Sequence, residues 1–191
     1  MRKATSSRRT RETDITVEVN LDGTGKHELQ VTPAFFSHML GTFSTHSLID
    51  IKMIAEGDLK HHIIEDAALI LGQALGEALG NRENVERFGF SFVPMEDSLA
   101  RAAIDLAERP YAVIDLGFKR SRIEDTATED LVHFIRTLAA SMRIDLHTNV
   151  EYGENDHHKA EAAFKAVALA MRQAIRYRDV KNLPQSTKGC L

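Results

Sequence analysis

Residues 14–21, Asp-Ile-Thr-Val-Glu-Val-Asn-Leu, alternate polar and apolar, the two-residue period of a strand with one buried face. Asp22-Gly23-Thr24-Gly25 is turn chemistry, and a second short strand follows at 27–32. Pro33 suits the start of a helix over 33–45, and 48–55 reads as a strand. From 61 to 79 the apolar positions Ile64, Ala67, Ala68, Leu71, Leu75 and Leu79 share one helical face, and Gly80-Asn81 closes that helix. The second half repeats the order: strands at 88–94, 98–107 and 110–116, a looser segment over 117–128, a helix at 128–141, a strand at 143–151 and a helix at 157–177. The tail 182–191 has no periodicity. Before the first alternating segment, Arg2–Arg11 is basic but interleaved with Thr, Ser and Glu, which fits a solvated edge strand.

The halves can be laid over one another. A shift of 95 residues carries His38 onto His133 and Ile49-Asp50-Ile51 onto Ile144-Asp145-Leu146. With one insertion, His61-His62-Ile63-Ile64-Glu65 falls on His157-His158-Lys159-Ala160-Glu161. Histidine is a rare residue, and three features in register identify an internal duplication. The expected fold is α+β: two similar units, each a roughly four-stranded sheet with helices packed on one face. The units are about 1–87 and 88–181, one domain in all, with the tail 182–191 appended.

Composition narrows the chemistry. The 191 residues are 43% hydrophobic and 27% charged, with net charge −4. An acidic balance argues against a general nucleic-acid or anionic-membrane binder. No apolar run is long enough for a transmembrane helix and no apolar leader is evident, so a cytoplasmic protein is expected. The single cysteine, Cys190, permits no disulfide within the chain. Any metal site must therefore use His, Asp and Glu.

The repeated motif suits that use. Residues four apart on a helix stack on one face, so His61 lies over Glu65 and His157 over Glu161. An imidazole nitrogen and a carboxylate oxygen at that spacing chelate one divalent ion. His62 and His158 are turned away by about 100°, and each is placed to reach the ion of the other helix. His38 and His133 add one ligand each. The spacing leaves open which of these two serves which ion, and whether the ligands come from one chain or from neighbouring chains. Nitrogen and carboxylate ligands without thiolate admit Mn, Fe, Zn, Ni or Co, with open octahedral positions favouring Mn or Fe. His27 reads as a solvated strand residue. His46 and His147 fall outside the repeat register.

These motifs resemble those of the imidazoleglycerol-phosphate dehydratases. The similarity runs through Arg9-Thr10-Arg11-Glu12-Thr13, Phe36-Ser37-His38-Met39-Leu40, Gly57-Asp58-Leu59 and the first His-His pair. It continues in Arg87-Phe88-Gly89, Arg109-Pro110-Tyr111, Gly153-Glu154-Asn155-Asp156-His157-His158, Phe164-Lys165-Ala166 and Ser186-Thr187-Lys188-Gly189. The chain departs from the pattern at Ser37, where the family usually has Asp, and before His61, where only Lys60 follows Gly57-Asp58-Leu59. The resemblance implies the duplicated fold, two Mn ions per site, and a homo-oligomer of 24 subunits built from trimers. It implies His38, His61, His62, Glu65, His133, His157, His158 and Glu161 as metal ligands, the set the repeat also selects. It implies a phosphorylated imidazole substrate, dehydrated to imidazole acetol phosphate in histidine biosynthesis. Glu12 then matches the acid/base. Arg87, Arg109, Ser186, Thr187 and Lys188 match phosphate contacts, and His46 and Lys165 match positions near the substrate. Two other readings of the same residues are a dinuclear phosphoester hydrolase and a non-catalytic metal-binding protein.

Overall fold

The computed structural model describes residues 1–178. The first unit runs β1 (Lys3–Arg9), β2 (Thr13–Asn20), β3 (His27–Gln30), α1 (Ala34–Ser47), β4 (Asp50–Gly57) and α2 (Lys60–Leu79). The second runs β5 (Phe88–Met95), β6 (Ser98–Asp105), β7 (Tyr111–Asp115), a short hairpin of β8 (Arg122–Ile123) and β9 (Thr126–Ala127), α3 (Thr128–Met142), β10 (Asp145–Tyr152) and α4 (Asp156–Ala174). The first sheet has the order β1-β2-β4-β3 and the second β5-β6-β10-β7. Strand for strand these are the same topology. In both four-stranded sheets the third strand of the unit, β3 or β7, pairs parallel to the strand that follows the unit's first helix, β4 or β10, while the other pairings are antiparallel. The duplicated α+β architecture is thus present, and the basic N-terminal strand is an edge strand of the first sheet.

Alternation decides which sheet face is covered. Ile15, Val17 and Val19 of β2 and Ile51, Met53 and Ala55 of β4 are buried, as are Ala100, Ala102 and Ile104 of β6. Helix α2 lies on β1 and β2, and α4 on β5 and β6. Across the middle α2 packs on α3 and α1 on α4, so the helices form the inner layers between two outer sheets. Phe134 joins the units, edge-on to Phe36 at 5.0 Å and stacked on Phe164 at 5.8 Å. Truncating this buried ring to Ala would cost about 3–5 kcal/mol.

Close helix contacts need small residues. At Gly72 of α2 an added Cβ would stand 2.7 Å from the Ser141 side chain and 2.8 Å from the Leu138 carbonyl of α3. Helix α4 buries seven alanines against its surroundings. A Cβ at Gly89 of β5 would overlap the carbonyl of Ala170.

Two differences from the sequence pattern have local causes. Helix α4 ends at Ala174 rather than 177, because Tyr177 is drawn into a bridge with Val85 and its ring lies under the Arg2 guanidinium at 4.3 Å. The looser segment 117–128 contains β8 and β9, two residues each, too short for a periodic signal.

Candidate metal centre

The His-His-x-x-Glu motifs start α2 and α4. At α2, β4 ends at Gly57 and only Asp58 and Leu59 precede the helix. This short connection places the Asp58 carboxylate 2.7 Å from Nδ1 of His62. That hydrogen bond raises the His62 pKa above its ordinary value. His61 points toward α3, where Nδ1 meets the Asp130 carboxylate at 2.6 Å. One turn along α3, His133 Nε2 is 3.2 Å from Glu65 Oε1, and the His61 and His133 rings are 5.6 Å apart.

The second motif forms the matching group with α1. His38 Nε2 and His157 Nε2 each lie 3.2 Å from Glu161 Oε1. One donor atom from each of the three residues falls within 4.8 Å of the others, the spacing of ligands around one ion. His157 packs on the Phe35 ring at 4.9 Å between centroids. Its neighbour His158 turns to the β5–β6 turn, where Nδ1 meets Asp97 at 2.5 Å. Asp97 also accepts the backbone N–H groups of Asn155 and Glu154. These bonds, and then His158, hold its carboxyl far below the usual range. Burial would raise the Glu161 carboxyl, but Lys165 at 2.6 Å, His38 and His157 outweigh it and hold the pKa at about 2.

The duplication therefore places two related half-sites in one chain: His38, His157 and Glu161, whose donor atoms close on one another, and a looser group in which His133 meets Glu65 at 3.2 Å while His61 stands beside the His133 ring with its Nδ1 on Asp130. This pairs His133 with the α2 motif and His38 with the α4 motif. The crossing partners are not brought together. Among the described residues no hydrogen bond or ring contact joins His62 to His158. His62 stays with Asp58 and His158 with Asp97.

The donor set suits divalent cations. Asp130, Asp58 and Asp97 engage Nδ1 of His61, His62 and His158, which leaves Nε2 as the ligand face. Carboxylate-buttressed imidazoles of this kind are how proteins fix the tautomer and aim of a ligating histidine.

Other candidates surround the half-sites. A cleft of about 530 Å³ is lined by His38, His46, Glu161 and Lys165, with His27 at its edge. Burial, then the Lys165 charge, lowers the His46 pKa. The exposed Glu12 carboxylate, in the β1–β2 turn, is 4.0 Å from His62 Nδ1, and both line a second cleft with Glu65 and Arg8. Arg87 makes a two-point contact with Asp105 at 2.7 and 2.9 Å, beside the C-terminal end of α4. That end is about 25 Å from His157 along the helix. Arg109 is exposed in the β6–β7 connection, at the same end of the second sheet. Ser186, Thr187 and Lys188 lie outside the described residues. His147 is an exposed β10 residue 3.2 Å from Asp145.

The model of the family "Imidazoleglycerol-phosphate dehydratase" matches residues 32–171. The chain belongs to that family. It is 45% identical to the imidazoleglycerol-phosphate dehydratase of Chloroherpeton thalassium, over all of this chain and 98% of that one. It is 44% identical to that of Methanosarcina mazei, over the full length of both. Among solved structures, that of the Staphylococcus aureus dehydratase superposes with a TM-score of 0.85 at 27% identity, covering 92% of this chain and 99% of the other. The Pyrococcus furiosus dehydratase, solved in complex with (S)-C348, gives 0.84 at 37% identity, covering 97% and 99%.

Within this family of hydro-lyases, the half-sites carry supporting residues to which the sequence assigned no role. Asp58, Asp97 and Asp130 each hold a candidate ligand. Asp58 had a readable signal, four residues before His62. Asp130 and Asp97 come from 69 and 61 residues away. Glu96, 3.7 Å from His158 Nε2, occupies the β5–β6 turn as Glu12 occupies the β1–β2 turn.

Proposed function

We propose that this chain dehydrates D-erythro-imidazoleglycerol phosphate to imidazole acetol phosphate and water, as a homo-oligomer using two divalent ions per site, with Mn the expected metal. The observation that carries this reading is the His38–His157–Glu161 cluster, repeated more loosely around His133 and Glu65, in a chain whose full-length relatives are named as dehydratases. Bound ions would supply positive charge that favours the ionised form of an imidazole ring.

The chain's own groups would do the rest. His38, His157 and Glu161 would hold one ion and His61, His133 and Glu65 the other. Glu12 is exposed beside His62, where it could take the proton from the carbon adjacent to the one that loses its hydroxyl and return a proton to the latter in the tautomerisation. Loss of that proton and of the hydroxyl as water gives an enol, which tautomerises to the ketone. No electrons are transferred. His46 and Lys165 line the cleft beside Glu161, where a substrate would lie.

Assembly would complete the site. His62 and His158 lie apart within the chain, so the crossing contacts of the repeat would close between copies. Arg87 and Arg109, at the far end of the second sheet, would reach phosphate only on a neighbouring copy. The outer face of that sheet exposes Phe88, Phe90, Phe92, Tyr111 and Val113, an apolar surface suited to subunit packing. This fits trimers assembled into a 24-mer. The family's soluble biosynthetic role suggests the cytoplasm, and among the described residues no helix is long and apolar enough to cross a membrane.

Product analysis tests the reaction. Imidazoleglycerol phosphate supplied with Mn should yield the ketone without inorganic phosphate. Phosphate release without ketone would identify a phosphoester hydrolase instead, and no turnover would point to a binding protein.

A further inference from the structure

The two half-sites match in the residue types of their candidate ligands; they differ in closure, since only the donor atoms of His38, His157 and Glu161 lie within 4.8 Å of one another, and in what stands behind the ligands. The 95-residue shift that carries His38 onto His133 carries Phe35 onto Asp130. The same helix position, three residues before the histidine, thus presents a carboxylate to one motif and a phenyl ring to the other. Asp130 accepts from His61 Nδ1 at 2.6 Å, and its side chain is 8% exposed. Phe35 packs on His157. The nearest carboxylate to His157 Nδ1 is that of Glu124, at 3.6 Å and 66% exposed, a longer and wetter contact.

A second difference acts in the same direction. Lys165, four residues after Glu161, donates to Glu161 Oε2 at 2.6 Å. The matching position after Glu65 is the apolar Leu69. One half-site therefore has a buried carboxylate added behind its ligands, and the other has an ammonium on its ligand carboxylate. A carboxylate on Nδ1 raises the donor strength of an imidazole and locks its aim. An ammonium on a ligand carboxylate competes with a bound cation.

From this asymmetry we propose that the two sites are of unequal affinity and load in order: the His61–Glu65–His133 half-site fills first, with Asp130 as its positioning residue, and the His38–His157–Glu161 half-site fills second. This rests on the two-ion reading above. The ion at the second half-site is the exchangeable one, and Lys165 sets how readily it leaves. Removing a carboxylate behind a ligating histidine weakens metal binding by about 10–100-fold, and the two steps are separated by a gap of that order.

The test is a stepwise Mn²⁺ titration of the full chain after removal of metal with a chelator. Free Mn²⁺ is followed by its EPR signal, and circular dichroism and sedimentation are recorded for each variant. The wild type should bind one equivalent tightly and a second at about 10–100-fold higher free Mn²⁺. Asp130→Asn, with unchanged dichroism, should weaken the tight step and draw the two together. Lys165→Leu, which copies the residue at the matching position, should strengthen the weak step and leave the tight one in place. Two equal steps in the wild type, or unequal steps untouched by Asp130→Asn, would overturn the inference while leaving the metal sites standing. Absence of any Mn²⁺ binding would instead remove the two-ion reading itself.

Discussion

The Glu12 carboxylate lies 4.0 Å from Nδ1 of His62, although the two residues come from different elements, a strand turn and a helix start. The turn is held there by the backbone, since the Asp58 N–H donates to the Glu12 carbonyl at 3.0 Å. The side chain itself remains exposed. A carboxylate placed by its main chain with its head open beside a candidate ligand suits proton transfer better than structure.

Glu12→Gln should therefore leave metal content, assembly and thermal stability near wild type while turnover falls by about 10²–10⁴-fold, the usual contribution of a positioned acid/base. Metal analysis and steady-state rates on the same preparation check this. A variant that turned over normally would remove Glu12 from the chemistry.

Helix α1, which carries His38, has no side-chain cap of its own. Asp125, in the turn between β8 and β9, supplies it from the other unit, accepting the N–H groups of Ala34 at 2.7 Å and Phe35 at 3.0 Å. Asp125→Ala should cost about 1–2 kcal/mol in denaturant unfolding, as loss of a helix cap does. It should also weaken metal binding at His38 more than at His133. An unchanged unfolding midpoint would show that the cap contributes nothing.

Much of this was legible because histidine is rare and helices impose a fixed spacing. The candidate ligand set His38, His61, His62, Glu65, His133, His157, His158 and Glu161 is selected by register alone. The division into half-sites does not, because the helix partners α2 with α3 and α1 with α4 are set by packing across the inner layers. The supporting Asp130 and Asp97 were hidden for a different reason. Aspartate is common, and nothing in a sequence marks one that folds back from more than 60 residues away. The α4 terminus at Ala174 was also beyond periodicity, since the pull on Tyr177 comes from Val85 in another part of the chain.

Acid should act on the first unit through Asp50. Its partial burial would raise the carboxyl pKa, but the N–H groups of Thr24 and Lys26 and the Asn20 amide outweigh that and lower it from 3.8. A lowered carboxylate pKa adds stability above the unfolded value, and this is lost as pH falls through the folded value. Asp50→Asn should thus lower the melting temperature at neutral pH, and the gap to wild type should close as the pH falls below the ordinary carboxylate range. A gap that stayed constant with pH would mean that the charge of Asp50 is not what holds the turn.

The dependence of catalysis on metal is the most direct measurement. Protein stripped by a chelator and passed into metal-free buffer should show almost no turnover of imidazoleglycerol phosphate. Added Mn²⁺ should restore it, with full activity at two equivalents per site and with the product appearing as ketone and water. Undiminished turnover in rigorously metal-free protein would contradict a two-ion dehydratase built on the paired His-His-Glu half-sites.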